Sequence, residues 1–422
     1  MSPLASVVRN EKGVALPLAL FTLVILSGLL LAFLSMAGME PQISRNLSDT
    51  TRARYVADAG IEWAFDALVA APSLNTVLQT NNGVMANNLS LPGLPATSGT
   101  FSVTVRNDNQ PGDTQITGQP PEPAANVTND TNNVAIVTAT GTYNGVTRQI
   151  QVAMTGPWDL PSALFVNSPN FEFELKAVVK NQFAVTGNDT NLNGTAGSGA
   201  PKLGIGLPTA AQVTAVNNSL MPNPPTQPLD LRPQVQGLGG NPTGTPPVAS
   251  VGLLNPIPSN LTTSALTTLV NQLTPMAAQT LIGGTTFSGN LTTNGTPTGG
   301  PQVTVVDLSN GLEATINGSG VGKGILIVKG GAAKAELKIG GSFQFQGLVI
   351  ACCSPAGAGE LEVEVEGSAK VFGGMVMFNT TSAEMEIEME KGGELLRSTQ
   401  GIALARQLIP GGKGTVWSWR EL

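Results

Sequence analysis

The 422-residue sequence contains no histidine and few charged side chains. Without histidine, Ser-His-Asp catalysis, Cys-His catalysis and His-ligated zinc are excluded. Charged residues make up only 12% of the chain and the net charge is −7, which argues against the basic surface that nucleic acid requires. We therefore expect a protein that is not an enzyme and has no nucleic-acid partner.

Cysteine is nearly absent too, because Cys352 and Cys353 are the only two in the chain and they are adjacent. This spacing excludes an interdomain disulfide between them and a CxxC redox motif. Neighbouring side chains of a strand point to opposite faces, which favours one thiol facing inward and one outward. A vicinal disulfide and an intermolecular bridge stay open as alternatives.

A hydrophobic run without charge, residues 14–37, follows a short charged segment with Arg9, Glu11 and Lys12. A helix of this length, at about 1.5 Å per residue, crosses a hydrocarbon core of about 30 Å. Basic residues on the short N-terminal side keep that end in the cytoplasm, so the rest of the chain is exported. The run is too long for an ordinary secretory signal. A plain membrane anchor and a leader cleaved between Gly13 and Val14 remain.

The residues after this run distinguish the two interpretations, because apolar side chains recur there at helical spacing. The membrane helix is therefore predicted to continue as one amphipathic rod through Ala59-Gly60-Ile61-Glu62. Together with the Lys12-Gly13 edge, Val14-Ala15-Leu16 and the polar residues 40–46, this segment resembles the N-terminal region of PilX-type minor pilins and related pilus assembly proteins. The resemblance covers about 60 of the 422 residues.

The resemblance implies a leader over residues 1–13, removed by a prepilin peptidase, and a transmembrane and amphipathic pilin helix over residues 14–70. The chain would cross the bacterial inner membrane once, with its N-terminus in the cytoplasm, and later join a pilus at the cell surface. Its partners would be other pilins and the inner-membrane pilus assembly machinery, and its head could meet a host or surface ligand.

Leu18 occupies the fifth position of the expected mature chain, where major pilins have glutamate. In that family the glutamate pairs with the N-terminal amine of a neighbouring subunit inside an apolar bundle, where an unpaired carboxylate is costly. A subunit with leucine cannot supply this pair. The resemblance therefore implies a minor subunit at or near the tip. A K-type minor pseudopilin of type II secretion also tends to lack this glutamate, so Leu18 does not separate the two.

The exported part is predicted to be α+β and mostly β, since 50 glycines and 30 prolines suit many short strands and turns. Residues 71–156 are expected to form a small antiparallel head, with a hairpin around Asn144-Gly145. Residues 157–422 are expected to form a second, β-rich domain. It would include a Pro- and Gly-rich excursion over about 220–260 and a short helix at Thr263–Leu273.

Two markers repeat in the same order every 23 to 27 residues within about 303–406. One is a glycine followed by an apolar run, at Gly324, Gly347, Gly374 and Gly401. The other is a glutamate that begins an alternating segment, at Glu313, Glu336, Glu360 and Glu384. Two strand types in constant order predict one coil per repeat, which is typical of a parallel β-solenoid. An ordinary β-sandwich is the alternative.

Two segments of this repeat alternate glutamate with apolar residues, so their carboxylates share one face of a strand. Stacked coils lie about 4.8 Å apart, which predicts an acidic ladder. We expect it to be a solvated outer face, with a cation- or partner-binding stripe as the alternative. Its predicted members are Glu360, Glu362, Glu364, Glu366, Glu384, Glu386, Glu388 and Glu390.

A second candidate ion site begins at Asp189, Asn191 and Asn193, which match the start of a D-x-[DN]-x-[DN]-G calcium loop. Its twelfth position is Ala200 instead of a chelating glutamate. A turn without metal is therefore favoured. No cofactor is evident from the sequence, and Ca²⁺ is the ion that either acidic motif would take.

The function that agrees with all of these features is a minor pilin or pilus assembly protein that displays a β-solenoid head. A K-type pseudopilin is one alternative, and a surface adhesin anchored by a pilin-like helix is another. A membrane-anchored hydrolase would need an acidic cluster in a groove, for which the glutamate rows are the only candidates.

Overall fold

A computed structural model describes ten stretches of the chain: residues 15–71, 74–117, 120–130, 132–156, 158–175, 183–223, 229–354, 359–390, 392–410 and 416–422. A long N-terminal helix is followed by an antiparallel sheet and then by a parallel β-solenoid. The predicted α+β, mostly β fold class is therefore confirmed. Its α-helices are α1 (Ala15–Ala70), α2 (Leu74–Gln79), α3 (Thr114–Thr117), α4 (Ala210–Leu220), α5 (Thr263–Leu273) and α6 (Thr399–Arg406).

The strands divide between three sheets. The antiparallel sheet contains β1 (Val84–Ser90), β2 (Thr100–Asn107), β3 (Val134–Tyr143) and β4 (Val146–Thr155). Next along the chain come β5 (Ser162–Asn167), β6 (Phe171–Leu175), β7 (Ala184–Thr186), β8 (Leu203–Leu207), β9 (Val235–Gln236), β10 (Val251–Leu253), β11 (Ala277–Ile282), β12 (Thr286–Phe287), β13 (Gln302–Asp307) and β14 (Ala314–Ile316). The remaining strands are β15 (Val321–Lys329), β16 (Ala335–Ile339), β17 (Gln344–Cys352), β18 (Leu361–Val365), β19 (Lys370–Phe378), β20 (Met385–Met389), β21 (Glu394–Arg397) and β22 (Val416–Glu421).

Helix α1 is one continuous element of 56 residues that passes through Pro41. Side chains 15–48 are exposed, whereas the C-terminal half buries one face. That face packs against the antiparallel sheet through Val56, Ala57 and Ile61. The contact is close because β3 presents Gly141 to the helix: a Cβ there would lie 2.2 Å from the carbonyl oxygen of Ala53.

The antiparallel sheet has the strand order β1-β2-β3-β4-β22. The predicted hairpin is confirmed, with Asn144 and Gly145 at φ 48° and 80° between β3 and β4. Positive φ at both central residues gives the turn a twist that matches the flanking strands. The last strand, β22, was not predicted. It returns to this sheet and pairs antiparallel with β4, so both ends of the described chain contribute to the head.

The solenoid consists of two parallel sheets whose strands alternate along the chain. One contains the path β5-β19-β17-β15-β13-β11, and the other has the order β6-β20-β18-β16-β14-β12. The strand pair β5 and β6 precedes the excursion in sequence but stacks on β19 and β20, the last coil of the repeat. The Pro- and Gly-rich region contains the short strands β9 and β10, and α5 has the predicted bounds.

The predicted repeat is confirmed in architecture but differs from the structure in register. Gly347 lies opposite Gly324 and Gly373, so the third marker is Gly373 instead of Gly374. Glu336 lies opposite Glu362, not Glu360. The fourth glycine marker, Gly401, lies in α6, because the chain leaves the sheet after β21.

The solenoid has an apolar interior and a second apolar layer outside one sheet. Inward-facing residues of the two sheets, such as Leu326, Val349 and Ile387, meet in the larger core. On the other face of the β19-β17-β15-β13 sheet, residues such as Ile325 and Leu348 are covered by α5 and α6. This sheet is buried on both faces, which explains the uninterrupted apolar runs after each glycine marker.

Candidate functional site

The N-terminal half of α1 is the first candidate, because its apolar side chains have no protein contact partner in the monomer. Leu18, at the fifth predicted mature position, is 63% exposed, and Phe21 and Phe33 are exposed to a similar degree. Among the described residues, α1 is the one helix long and apolar enough to cross a membrane. The predicted cleavage residues Gly13 and Val14 lie outside the described part of the chain.

The glutamate ladder is the second candidate, and the structure assembles it from more strands than predicted. In one row Glu172, Glu386, Glu362 and Glu336 lie opposite one another on β6, β20, β18 and β16. In the neighbouring row Glu174, Glu388 and Glu364 are followed by Lys338. The two glutamates of β6 were missed, although Phe171-Glu-Phe-Glu-Leu175 has the same alternation.

The expectation that this row is a solvated face is wrong. Glu362, Glu364, Glu386 and Glu388 are between 0% and 6% exposed. Parallel strands in register hold equivalent side chains about 4.8 Å apart, so the central glutamates contact and cover one another. The predicted members that flank the strands are half-buried instead: Glu360, Glu366, Glu384 and Glu390.

Two lysines neutralise one side of the ladder. The ammonium of Lys334 lies 3.0 Å from Glu360 Oε1 and 3.1 Å from Glu362 Oε2. That of Lys338 lies 3.1 Å from both Glu336 Oε1 and Glu364 Oε2. Hydrogen bonds to these carboxylates raise the pKa of both lysines, so the lysines stay charged throughout the physiological range.

Glu386, one strand further along, has a different environment. Burial is the largest cause that raises its pKa to about 10, followed by hydrogen bonding with Glu360 and Glu174. Such a carboxyl group keeps its proton at neutral pH unless a cation replaces that proton. Four overlapping triplets of ladder glutamates have carboxylate oxygens within 4.8 Å of one another.

The predicted calcium loop is a tight turn whose carboxylate already has several donors. Asp189 is buried, and its oxygens accept hydrogen bonds from the amides of Gly199 and Thr399 at 2.8 Å. The Asn191 amide donates to Thr195 Oγ1, and Asn193 Oδ1 accepts from the Thr195 amide. A metal ion at Asp189 would have to displace the donors that attach this loop to α6.

The two cysteines form a vicinal disulfide between Cys352 and Cys353, one of the alternatives left open by the sequence. Cys352 is buried in β17, whereas Cys353 is exposed and has a φ of 75°. The disulfide borders an open cleft of about 510 Å³ that Asp307, Lys329 and Asn379 also line. This volume is within the range of roughly 300–1,000 Å³ for small-ligand sites.

Sequence reasoning missed an acidic cluster in the long loop between β2 and β3. Burial, and after it the nearby Glu122 carboxylate, raise the pKa of Asp130 to about 7. Burial likewise raises the pKa of Asp108 to about 6, although a hydrogen bond from Asn132 opposes the change. The sequence shows only that this loop is polar, so no signal in it indicated that these carboxyl groups are buried together.

Similarity to known proteins is found among solved structures. No protein-family model matches the chain, and no curated protein sequence does. Among solved structures, the chain is similar to the competence-associated pilin ComZ from Thermus thermophilus. The superposition has a TM-score of 0.31 at 14% identity, and it covers 89% of this chain and 97% of that one.

Proposed function

We propose that the chain is a minor pilin or pilus assembly protein, a structural and non-catalytic subunit at or near the tip of a type IV pilus. The observation that carries the proposal is the division of α1. One half is exposed and apolar, and the other half is packed on an antiparallel sheet. The C-terminal half of such a helix is part of the folded head, and its N-terminal half requires a separate apolar environment.

The exposed half requires an apolar environment. Leu16, Leu30 and Phe33 are each more than 60% exposed in the monomer, and a continuous apolar surface of this size in water favours association. The hydrocarbon core of the inner membrane provides that environment before assembly. Helices of neighbouring pilins provide it afterwards, so the same side chains serve in both states without refolding of the head.

Leu18 supports a position at or near the tip. A shaft subunit would bring a carboxylate at this place to the N-terminal amine of its neighbour, as the resemblance to pilins implies. Leucine offers neither a charge nor a hydrogen bond, so insertion between two shaft subunits would leave that amine without its partner. The cost of an unpaired charge in an apolar bundle disfavours internal positions.

The helix–sheet unit also supports outward display of the solenoid. Ion-pair and cation–π contacts of Arg54 join α1 to β22: its Nε lies 3.7 Å from Glu421 Oε2, and its guanidinium lies over Trp419. Because β22 follows the solenoid and β4 precedes it, the solenoid is attached to the head by two chain connections. Such a double connection suits a rigid projection from a filament.

Mass analysis of the N-terminus of the protein purified from its own cells tests the proposal. We expect a mature chain that begins at Val14 and is N-methylated, in cells with an active prepilin peptidase. A chain that retains residues 1–13 in those cells would contradict the proposal. A K-type pseudopilin would give the same N-terminus, so deletion strains separate the two: loss of pili supports the proposal, and loss of type II secretion with normal pili supports the alternative.

The cleft beside Cys353 favours a second candidate function, a surface adhesin. It combines the flat sulfur surface of the disulfide with charged and amide side chains from Lys329, Asp307 and Asn379, which suits a small polar ligand such as a sugar. A glycan array probed with the detergent-solubilised full chain tests this function. Binding that Asn379→Ala abolishes, at unchanged melting temperature, would support it, and an array without any signal would contradict it.

A further inference from the structure

The described lysines that contact the glutamate ladder lie near one of its ends. Lys334 and Lys338 contact the carboxylates of β16 and β18 and those flanking them. Glu386, on β20, forms no ion pair with any described lysine or arginine. The Coulomb energy of two carboxylates at such short distances is several kcal/mol even at a protein-like dielectric constant of about 20. An ionised Glu386 beside its acidic neighbours would therefore be stabilised by a bound cation.

An oxygen atom of Glu386 also has no donor. Glu386 is only 6% exposed, and its Oε1 atom has no hydrogen-bond partner among the residues described. A buried carboxylate oxygen that gives up its water without gaining a donor is costly. The oxygen belongs to a group that faces the carboxylates of Glu174 and Glu388. The unpartnered atom is thus independent evidence that something else binds there.

The spacing of the oxygens allows all three carboxylates to reach one cation. One oxygen each from Glu174, Glu386 and Glu388 lies within 4.8 Å of the other two. Calcium binds oxygen at about 2.3–2.6 Å, so two ligands of one Ca²⁺ ion lie at most roughly 5.2 Å apart, and the three oxygens meet this limit. Magnesium demands near-octahedral geometry and loses its water reluctantly, so a site made of several protein carboxylates favours calcium. Without nitrogen or sulfur ligands, the site is that of a hard cation.

We propose that Glu174, Glu386 and Glu388 bind one Ca²⁺ ion between β20 and β6, with water completing its coordination. Glu174 is half-buried, which leaves a side open for entry of the ion and for its waters. The ion attaches β6, which precedes the excursion in sequence, to the last coil of the repeat. It therefore stabilises the junction where the solenoid joins two distant parts of the chain.

Calorimetric titration of the full chain with Ca²⁺ tests binding directly. Because the three carboxylates contact one ion, the heats should fit a single saturable site, and Glu386→Gln should remove them.

The experiment compares melting temperatures of the full chain in detergent after removal of divalent ions. Adding Ca²⁺ to about 100 times its Kd should raise the melting temperature by several degrees, because the ion binds the folded state. The same concentration of Mg²⁺ should have a much smaller effect. Glu386→Gln should abolish the calcium response, and the matched Glu366→Gln, on the neighbouring coil but in none of the triplets, should retain it.

The variant is designed to remain folded, since glutamine retains the shape and the hydrogen-bonding capacity of a protonated glutamate. Far-UV circular dichroism of each variant checks this. A wild-type protein without calcium heat and without a melting shift overturns the proposal. So does an unchanged calcium response in folded Glu386→Gln.

Discussion

Arg397 and Asp159 form an ion pair that joins the last strand of the solenoid to the segment leading into its first. The Nη2 atom of Arg397 lies 3.1 Å from both carboxylate oxygens of Asp159. Arg397 is 2% exposed, and Asp189 lies on its other side at 4.0 Å. A single buried guanidinium thus lies between two carboxylates from segments that are far apart in sequence.

Replacement of Arg397 should strongly destabilise the solenoid. We expect Arg397→Met to lower the free energy of unfolding by about 3 kcal/mol, because the buried Asp189 loses a nearby cation and Asp159 keeps only its longer contacts with Lys202 and Arg406. The matched control is Arg45→Ala, which removes an exposed pair with Asp49 at 3.9 Å and should cost less than about 0.5 kcal/mol. Urea unfolding followed by circular dichroism measures both. A similar, small effect for the two variants would contradict a structural role for Arg397.

The close contact of α1 with β3 gives a second prediction. Gly141→Ala places a Cβ 2.2 Å from the Ala53 carbonyl oxygen, so helix and sheet must move apart. The cost should be on the order of 2–3 kcal/mol. Gly112→Ala is the control, because nothing lies within 4 Å of its Cβ. If thermal melting shows Gly141→Ala to be as stable as Gly112→Ala, the helix is not packed as described.

The position of the subunit along the filament can be tested at Leu18. Leu18→Glu restores the carboxylate of shaft subunits, so immunogold labelling of pili should extend from the tip along the shaft. Leu20→Glu is the control, since it introduces the same charge two positions away and should only reduce assembly through its insertion cost of roughly 2.5–3.5 kcal/mol. Wild-type label along the whole shaft would contradict the tip position.

The buried carboxyl groups of the β2–β3 loop predict a pH dependence of the head. Asp130 has a pKa of about 7 in the fold, above its ordinary value of 3.8, so the folded state retains a proton that the unfolded state loses. This stabilisation is present below about pH 4 and is lost as the pH rises to about 7.

Asp130→Asn should remove the loss of folding stability that occurs between about pH 4 and pH 7. At pH 8 we expect the variant to be more stable than the wild type by on the order of 1–2 kcal/mol, after allowing for the partial exposure of Asp130. At pH 4 the two proteins should be equally stable. Thermal melting across this range measures the difference, and parallel curves for the two proteins would show that Asp130 does not titrate as described.

The sequence predicted those features that depend on local periodicity. The Asn144-Gly145 hairpin follows from residues that accept positive φ, and the two repeat markers predicted stacked parallel coils. Register was less predictable, because it depends on how many residues each coil uses in its turns. The turn between β17 and β18 is longer than its neighbours, which places Glu362 opposite Glu336 and leaves Glu360 outside the strand.

The burial of the ladder glutamates and the presence of β22 could not be predicted, for a different reason. Alternation places the glutamates on one face of a strand, but it does not indicate what lies against that face. Glu172 and Glu174 complete the ladder only because β6 stacks on β20 across more than half of the chain. Likewise, β22 joins β4 through a contact between distant segments, for which a single sequence provides no signal.

The pairing of β5 with β19 and of β22 with β4 has a consequence for synthesis. A chain emerges from its N-terminus, so β5 and β4 are complete long before residues 370–378 and 416–421 exist. Until then each presents an edge of unpaired backbone groups, which can pair with other chains. Such non-local contacts also slow folding. The protein therefore passes through a long interval in which its half-made sheets need protection, and truncated chains would keep those edges open.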